Sequence, residues 1–166
     1  IDRLARTFPN CSIVMIGPYL DTKALPNHPN LHWLGGKPYQ QLIAYAQMFD
    51  VGIIPFRTSS MTEAVNPIKM WEYMASGMPV VTTAIPEARK YSNVVLYSEN
   101  EEQFMENIKN ALYNDSAQLR EQRMAFARQN SWARRAEQIK GLIERKLGVQ
   151  SNVLSTTRDG SLKRLI

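Results

Sequence analysis

Apolar runs and amphipathic stretches alternate along the 166 residues of the chain. Ile1, Leu4, Ala5 and Phe8 recur at i, i+3, i+4, i+7, the end of an amphipathic helix that Pro9-Asn10 stops. Residues 12–16 form an unbroken apolar run closed by Gly17-Pro18, as expected of a strand buried on both faces of a parallel sheet. Residues 20–30, with Pro26 and Pro29, read as loop. Residues 31–34 predict a short strand ending at Gly35-Gly36, and residues 39–49 a helix with Leu42, Tyr45, Ala46 and Phe49 on one face. A second buried strand is expected over 51–55, followed by a polar loop from Arg57 to Val65.

Beyond residue 78 the alternation continues. Strands are expected at 79–82 and 93–97, with a short helix or turn at 85–91 between them. Helices follow over 101–114, with Phe104, Ile108, Ala111 and Leu112 inward, and over 117–129. Ser131 caps a last helix that runs to Leu147 and stops at Gly148. Strands and helices alternating at this spacing imply right-handed crossovers. The fold class is therefore α/β: a Rossmann-like parallel sheet of about five strands with helices on both faces. Ligands of such sheets bind outside the carboxyl ends of the strands. Four ends reach that edge: Gly17-Pro18, Gly35-Gly36-Lys37, Pro55-Phe56-Arg57 and Thr82-Thr83.

Residues 63–83 organise the rest, because they read as loop, helix, tight turn and buried strand in succession. Asn66 is a good N-cap, and Pro67 then stands at the first helical position, where its missing N–H costs nothing. Gly77 suits the left-handed residue that ends a helix, and Pro79 blocks continuation. Ile68, Trp71, Met74 and Ala75 recur at helical spacing and are expected to form the buried stripe. Lys69 and Glu72, one turn apart, can then face the same crevice.

That placement has chemical content. A helix N-terminus carries unpaired N–H groups and partial positive charge, which suit a diphosphate. Lys69 adds a formal charge, and a carboxylate at Glu72 can accept both hydroxyls of a ribose. The alternative is an exposed i,i+3 ion pair worth a few tenths of a kcal/mol. Spacing alone does not separate the two. Likewise Gly35-Gly36-Lys37-Pro38 could be a simple chain reversal, and Arg57 a solvated loop arginine rather than a phosphate contact.

The run Asn66-Pro67-Ile68-Lys69 through Glu72-Tyr73-Met74-Ala75-Ser76-Gly77-Met78-Pro79-Val80-Val81 resembles the donor-site signature of GT-B glycosyltransferases. It is most similar to the bacterial group 1 (family 4-like) enzymes that assemble polysaccharides, whose pattern is Pro-x-Lys-x-x-Glu-Tyr-Leu-Ala-x-Gly-x-Pro-Val-Val. Met74 is a conservative departure. Many members carry a second Glu eight residues before the position of Glu72, and that place is Ala64 here, beside Glu63. The strand order extends the resemblance over residues 1–147.

The resemblance implies a nucleotide-sugar donor domain over 1–147 that lacks its first strand, with 148–166 as a tail. It implies that Glu72 holds the ribose, that Asn66, Pro67, Ile68 and Lys69 present the helix end to a UDP- or GDP-linked diphosphate, and that Gly36 and Lys37 receive the base. Arg57 joins the donor-binding set as a phosphate contact. A similar Ser-Trp in such enzymes, here Ser131-Trp132, begins a last helix that crosses toward a second domain. The implied function is transfer of a hexose to a glycan or lipid-linked acceptor, with retention. The acceptor site would belong to an N-terminal domain absent from this chain, so the chain alone should not catalyse transfer and no catalytic residue is assignable in it. Rival readings are a nucleotide-sugar 2-epimerase of the same fold and a flavodoxin-like regulatory module. The latter lacks support: Gly17-Pro18-Tyr19 and Pro55-Phe56 supply none of the acidic residues of a receiver domain.

Composition narrows partners further. The net charge of +5 is moderate and concentrates in the C-terminal third. Without a nucleic-acid motif it reads as a solvated helix face, with attraction to anionic lipid headgroups as the lesser alternative and nucleic acid set aside. A single cysteine, Cys11, points to a reducing compartment, and no apolar run is long enough to cross a bilayer. A cytoplasmic protein, at or near the inner face of the membrane, is the expectation. His28 and His32 have no paired ligand spacing, so no metal site is expected, and no cofactor beyond the nucleotide-sugar substrate. The clustered Met70, Met74 and Met78 read as core filler, and Trp132 as a buried anchor.

Overall fold

The computed structural model describes residues 1–18 and 25–148. Part of the expected 20–30 loop, and residues 149–166 of the expected tail, lie outside the described residues. The chain divides into two compact units, one of residues 1–129 and one beginning at Asn130.

Five strands form in the first unit: β1 (Ile13–Met15), β2 (Leu31–Trp33), β3 (Gly52–Ile54), β4 (Val80–Thr82) and β5 (Leu96–Tyr97). Between and after them run α1 (Asp2–Thr7), α2 (Tyr39–Ala46), α3 (Ser60–Glu63), α4 (Ile68–Ala75), α5 (Pro86–Arg89), α6 (Glu101–Tyr113) and α7 (Ala117–Gln129). All pairings are parallel, as expected, but they make two ladders, β1-β2 and β3-β4-β5, rather than one sheet. Among the described residues no ladder joins β1 to β3. Side-chain packing joins the two instead.

The period-2 alternation of the strands decides which helix covers which face. Val81 turns to one side, where it shares a core with Ile13, Leu31, Leu4 and Ala5 of α1, and Phe104, Ile108 and Ala111 of α6. That cluster spans both ladders. Val80 and Ile54 turn to the other side and pack with Met70 and Met74 of α4, Ile85, Ala88, Val95, and Ala127 of α7. Strand β4 is buried along its whole length, and both methionines of α4 are fully buried. Burying each stabilises by about 1.5–3 kcal/mol. Trp71, Tyr91 and Phe126 close this layer, with Trp71 edge-on to Tyr91 at 5.0 Å and stacked with Phe126 at 6.1 Å.

Helix α4 departs from expectation at its start and in its stripe. Its N-cap is Pro67 and no side chain caps it, because the Asn66 Oδ1 accepts the Trp71 indole N–H at 3.3 Å instead. The buried line is Pro67, Met70 and Met74, not Ile68 and Ala75, which are exposed, while Trp71 is half-buried. Pro67, buried just before the helix, sets the inward face, so the stripe continues at Met70 and Met74. The C-terminus behaves as expected: Gly77 has φ +87°.

Helix α7 then grips this end of α4. The Arg120 Nη2 donates to Ser76 O at 3.2 Å, and its side chain lies where a Cβ on Gly77 would fall, 2.7 Å from the Cγ. Arg123 is buried and donates from Nε and Nη2 to Gly77 O at 3.0 and 2.7 Å. Its charge is balanced by two bonds to the Asp115 carboxylate at 2.8 and 2.7 Å. Two cations thus satisfy the last carbonyls of α4, where the helix dipole is negative.

The loop expected over 57–65 contains α3. The Ser59 N–H donates to the Thr62 Oγ1 at 2.8 Å, so a local capping bond starts a helical turn inside a polar stretch. In the second unit α8 (Trp132–Leu147) is capped by Ser131, whose Oγ accepts the Arg134 N–H, and stops at Gly148 with φ +65°. Trp132 is not a buried anchor. As the first residue of α8 it is 78% exposed, with the Arg135 guanidinium 5.8 Å from its ring centroid.

Candidate functional site

A cleft of about 780 Å³ opens between the carboxyl ends of β1 and β2, helix α2, and helices α4 and α7. That volume lies within the range of small-molecule sites, roughly 300–1,000 Å³. A groove of about 120 Å³ near Pro79, Asn93 and Arg123 is too small.

Each wall follows from local sequence. Gly17 and Gly35, both with positive φ, turn the chain sharply off β1 and β2, and the Gly17 N–H donates to Gly35 O at 3.0 Å. The two strand ends are thereby tied together at the floor, with Gly36 and Lys37 beside them. Helix α2, which ends at Ala46 rather than running to residue 49, presents Leu42, Tyr45 and Ala46 to the cleft, and Phe49 joins them from the turn that follows. These are the four residues read as its apolar face, and they are half-buried rather than sealed. From α4 come Lys69, Glu72, Tyr73 and Ser76. Burial pushes the Tyr73 hydroxyl up from its ordinary pKa, against the opposing Lys69 charge.

Among the described residues, the charged lining consists of Lys37, Lys69, Arg120 and Glu72. Three cations against one carboxylate favour an anionic ligand. The Lys69 Nζ lies 2.6 Å from the Glu72 Oε2, so the i,i+3 pair is formed, and both residues line the cleft as well. The Glu72 side chain keeps 31% of its surface exposed, and the Tyr39 hydroxyl donates to its other oxygen, Oε1, at 3.4 Å. The first-turn N–H groups of α4 carry no side-chain cap.

Of the residues singled out in sequence, Gly36, Lys37, Lys69 and Glu72 come together in this cleft. Asn66, Pro67, Ile68 and Arg57 do not line it. Asn66 is engaged by Trp71, Pro67 is buried, and Ile68 and Arg57 point to solvent. Of the four strand ends, those after β1 and β2 border the cleft. The end of β3 is instead laced to the residue after β4, with the Thr83 Oγ1 donating to Phe56 O at 2.8 Å. Tyr39 and Arg120 were missed. Tyr39 follows Gly36-Lys37-Pro38 directly, which was the available signal; Arg120 gave none, because its role depends on how α7 meets α4.

His28 is engaged structurally, its Nε2 lying 2.7 Å from the Asp2 Oδ1. Among the described residues no helix is long and apolar enough to cross a membrane.

The model of the glycosyl transferases group 1 family matches residues 1–114, about two thirds of the chain and every strand that bounds the cleft. The chain belongs to the group 1 glycosyl transferases. It is 35% identical over 69 residues to TuaH of Bacillus subtilis (strain 168), a protein named for teichuronic acid biosynthesis as a glycosyltransferase. That match takes in 42% of this chain and 17% of the relative. The α,α-trehalose 6-phosphate synthase of Burkholderia multivorans superposes on 90% of this chain and 39% of its own, with a TM-score of 0.61 at 15% identity. At that identity the likeness establishes the GT-B fold. The group 1 domain described here therefore spans a minor part of the length of both.

Proposed function

We propose that this group 1 domain binds a UDP- or GDP-linked sugar and presents it for transfer to a glycan or lipid-linked acceptor, with retention at the anomeric carbon. The observation that carries the reading is the position of Glu72. It lies in an open, net cationic cleft one turn beyond an uncapped helix N-terminus, with Lys69 beside it.

In this reading the Glu72 carboxylate accepts the two ribose hydroxyls. Lys69 faces the diphosphate and stabilises its charge as the glycosidic bond breaks, an electrostatic contribution. Gly36 and Lys37, backbone and side chain at the cleft floor, take the base. Ile68, exposed on the first turn, and Arg57 lie outside the cleft walls and have no part in this scheme.

Transfer also requires an acceptor held in register with the donor, which supplies much of the rate. We assign that task to an N-terminal acceptor domain of the parent enzyme, so this chain binds donor without turning it over. Polysaccharide assembly as the pathway rests on the family and on the name of the Bacillus relative. The basic helices α7 and α8 are compatible with work at an anionic membrane face.

Calorimetric titration of the 166-residue chain with UDP, GDP, their hexose conjugates and the monophosphates UMP and GMP tests this directly. Saturable binding of one base series, tighter for the diphosphate than for the monophosphate, is the expected result. Absence of binding for every nucleotide, with no shift in thermal unfolding, would remove the reading.

A further inference from the structure

We infer that Tyr39 is a positioning residue for Glu72, setting the plane in which that carboxylate meets a ribose; the inference rests on the nucleotide reading above. Glu72 is held from two elements. Lys69, on its own helix, binds Oε2 at 2.6 Å, and Tyr39, on the first turn of α2 across the cleft, donates to Oε1 at 3.4 Å.

The lone-pair count makes this arrangement specific. An ionised carboxylate offers about four acceptor positions, two on each oxygen. Lys69 occupies one on Oε2 and Tyr39 one on Oε1. One acceptor position on each oxygen remains, and two vicinal hydroxyls need one from each. Lys69 alone leaves the carboxylate free to rotate about its last side-chain torsion, because that torsion is broad. A second donor, on the opposite oxygen and from another element, fixes it.

Nothing else explains the residue well. Tyr39 is 64% exposed, buries little, and is not needed to build α2, whose half-buried residues are Leu42, Tyr45 and Ala46. The 3.4 Å separation is long for an O–H···O bond, so the contact orients the carboxylate more than it stabilises the fold.

The test is ribose discrimination. Affinities for UDP and GDP are measured by calorimetry against those for their 2′-deoxy forms, in the wild type, Tyr39→Phe and Glu72→Gln. The phenylalanine keeps the ring and any stacking, so only the hydroxyl is removed. The expected result is a wild-type preference for the ribonucleotide that falls about threefold to tenfold in Tyr39→Phe, the weight of one hydrogen bond. Affinity for the deoxynucleotide, which keeps only the 3′ hydroxyl, should fall less, and the thermal midpoint should stay unchanged. In Glu72→Gln background the Tyr39→Phe change should have no further effect on the preference.

An unchanged ribo-to-deoxy ratio in Tyr39→Phe overturns the inference and leaves the nucleotide reading standing. Equal losses for both nucleotides also overturn it, because Tyr39 would then be touching the nucleotide itself. A wild type that binds nucleotides without preferring ribose refutes the role of Glu72, and that of Tyr39 with it. A wild type that binds none refutes the nucleotide reading as a whole.

Discussion

Thr82 sits at the end of the buried central strand with its side-chain oxygen closed off from solvent and no hydrogen-bond partner among the described residues. A buried hydroxyl left unpaired costs about 1–3 kcal/mol, whereas an isosteric methyl in its place costs nothing of that kind. Thr82→Val should therefore raise the urea midpoint, by about 1 kcal/mol of stability, and a fall would mean that the hydroxyl is satisfied in solution. At this scale the sequence was legible where one residue type has one strong local preference. Gly77 had to take positive φ, and the turn after α4 followed. It was illegible where a side chain had a choice of partners. Asn66 is a good helix cap by type, yet the Trp71 indole claims its oxygen. Tyr39 and Glu72 meet from elements far apart in the chain, and no spacing rule brings them together.

Helices α1 and α6 are pinned by charge as well as by their shared core. Arg3 reaches Glu101 at 2.9 Å and Glu102 at 3.2 Å, and Asp2 is held by His28 and Arg6. The Glu102 carboxyl is drawn below its ordinary pKa by a backbone N–H and by Arg3, and that of Asp2 chiefly by the hydrogen bond to His28. A folded-state value below the unfolded one gives stability that is complete above the ordinary carboxylate range and disappears as pH falls through the depressed value. The urea midpoint should accordingly hold from neutral pH down to the ordinary carboxylate range, about pH 4, and decline below it. In Arg3→Ala the decline should be shallower, because Glu102 loses one cause of its depression; an identical profile would mean that the pair contributes nothing. These groups are exposed, so salt should weaken the effect.

Elements themselves were read well in kind and less well in their faces and ends. All five strands and the long helices lie where the apolar pattern put them, because runs and amphipathic stripes are local properties. The stripe of α4 was displaced by Pro67, which is buried and directs Met70 and Met74 inward, a choice that depends on where the strand beneath lies. Helix α3 was read as loop because its start signal is a hydrogen bond between Ser59 and Thr62 rather than a hydrophobic period.

For the molecule as a whole, the parallel α/β architecture was legible but the division of its strands into two ladders was not. Ladder pairing is decided by which strands become neighbours, and β1 and β3 are joined by a common core without being joined by hydrogen bonds. The cleft was legible through its signature: Lys69 and Glu72 follow from a helix bounded by Pro67 and Gly77, and Gly36 and Lys37 from a glycine turn after a strand. The function turns on whether the Glu72 carboxylate in that cleft recognises a ribose. The direct measurement is the affinity of the chain for UDP and GDP before and after Glu72→Ala. Loss of charged hydrogen bonds worth about 1.5–3 kcal/mol predicts weakening on the order of ten- to a hundredfold for the nucleotide that binds. An affinity unchanged by that substitution would return Glu72 to the role of a surface ion-pair partner and contradict the account.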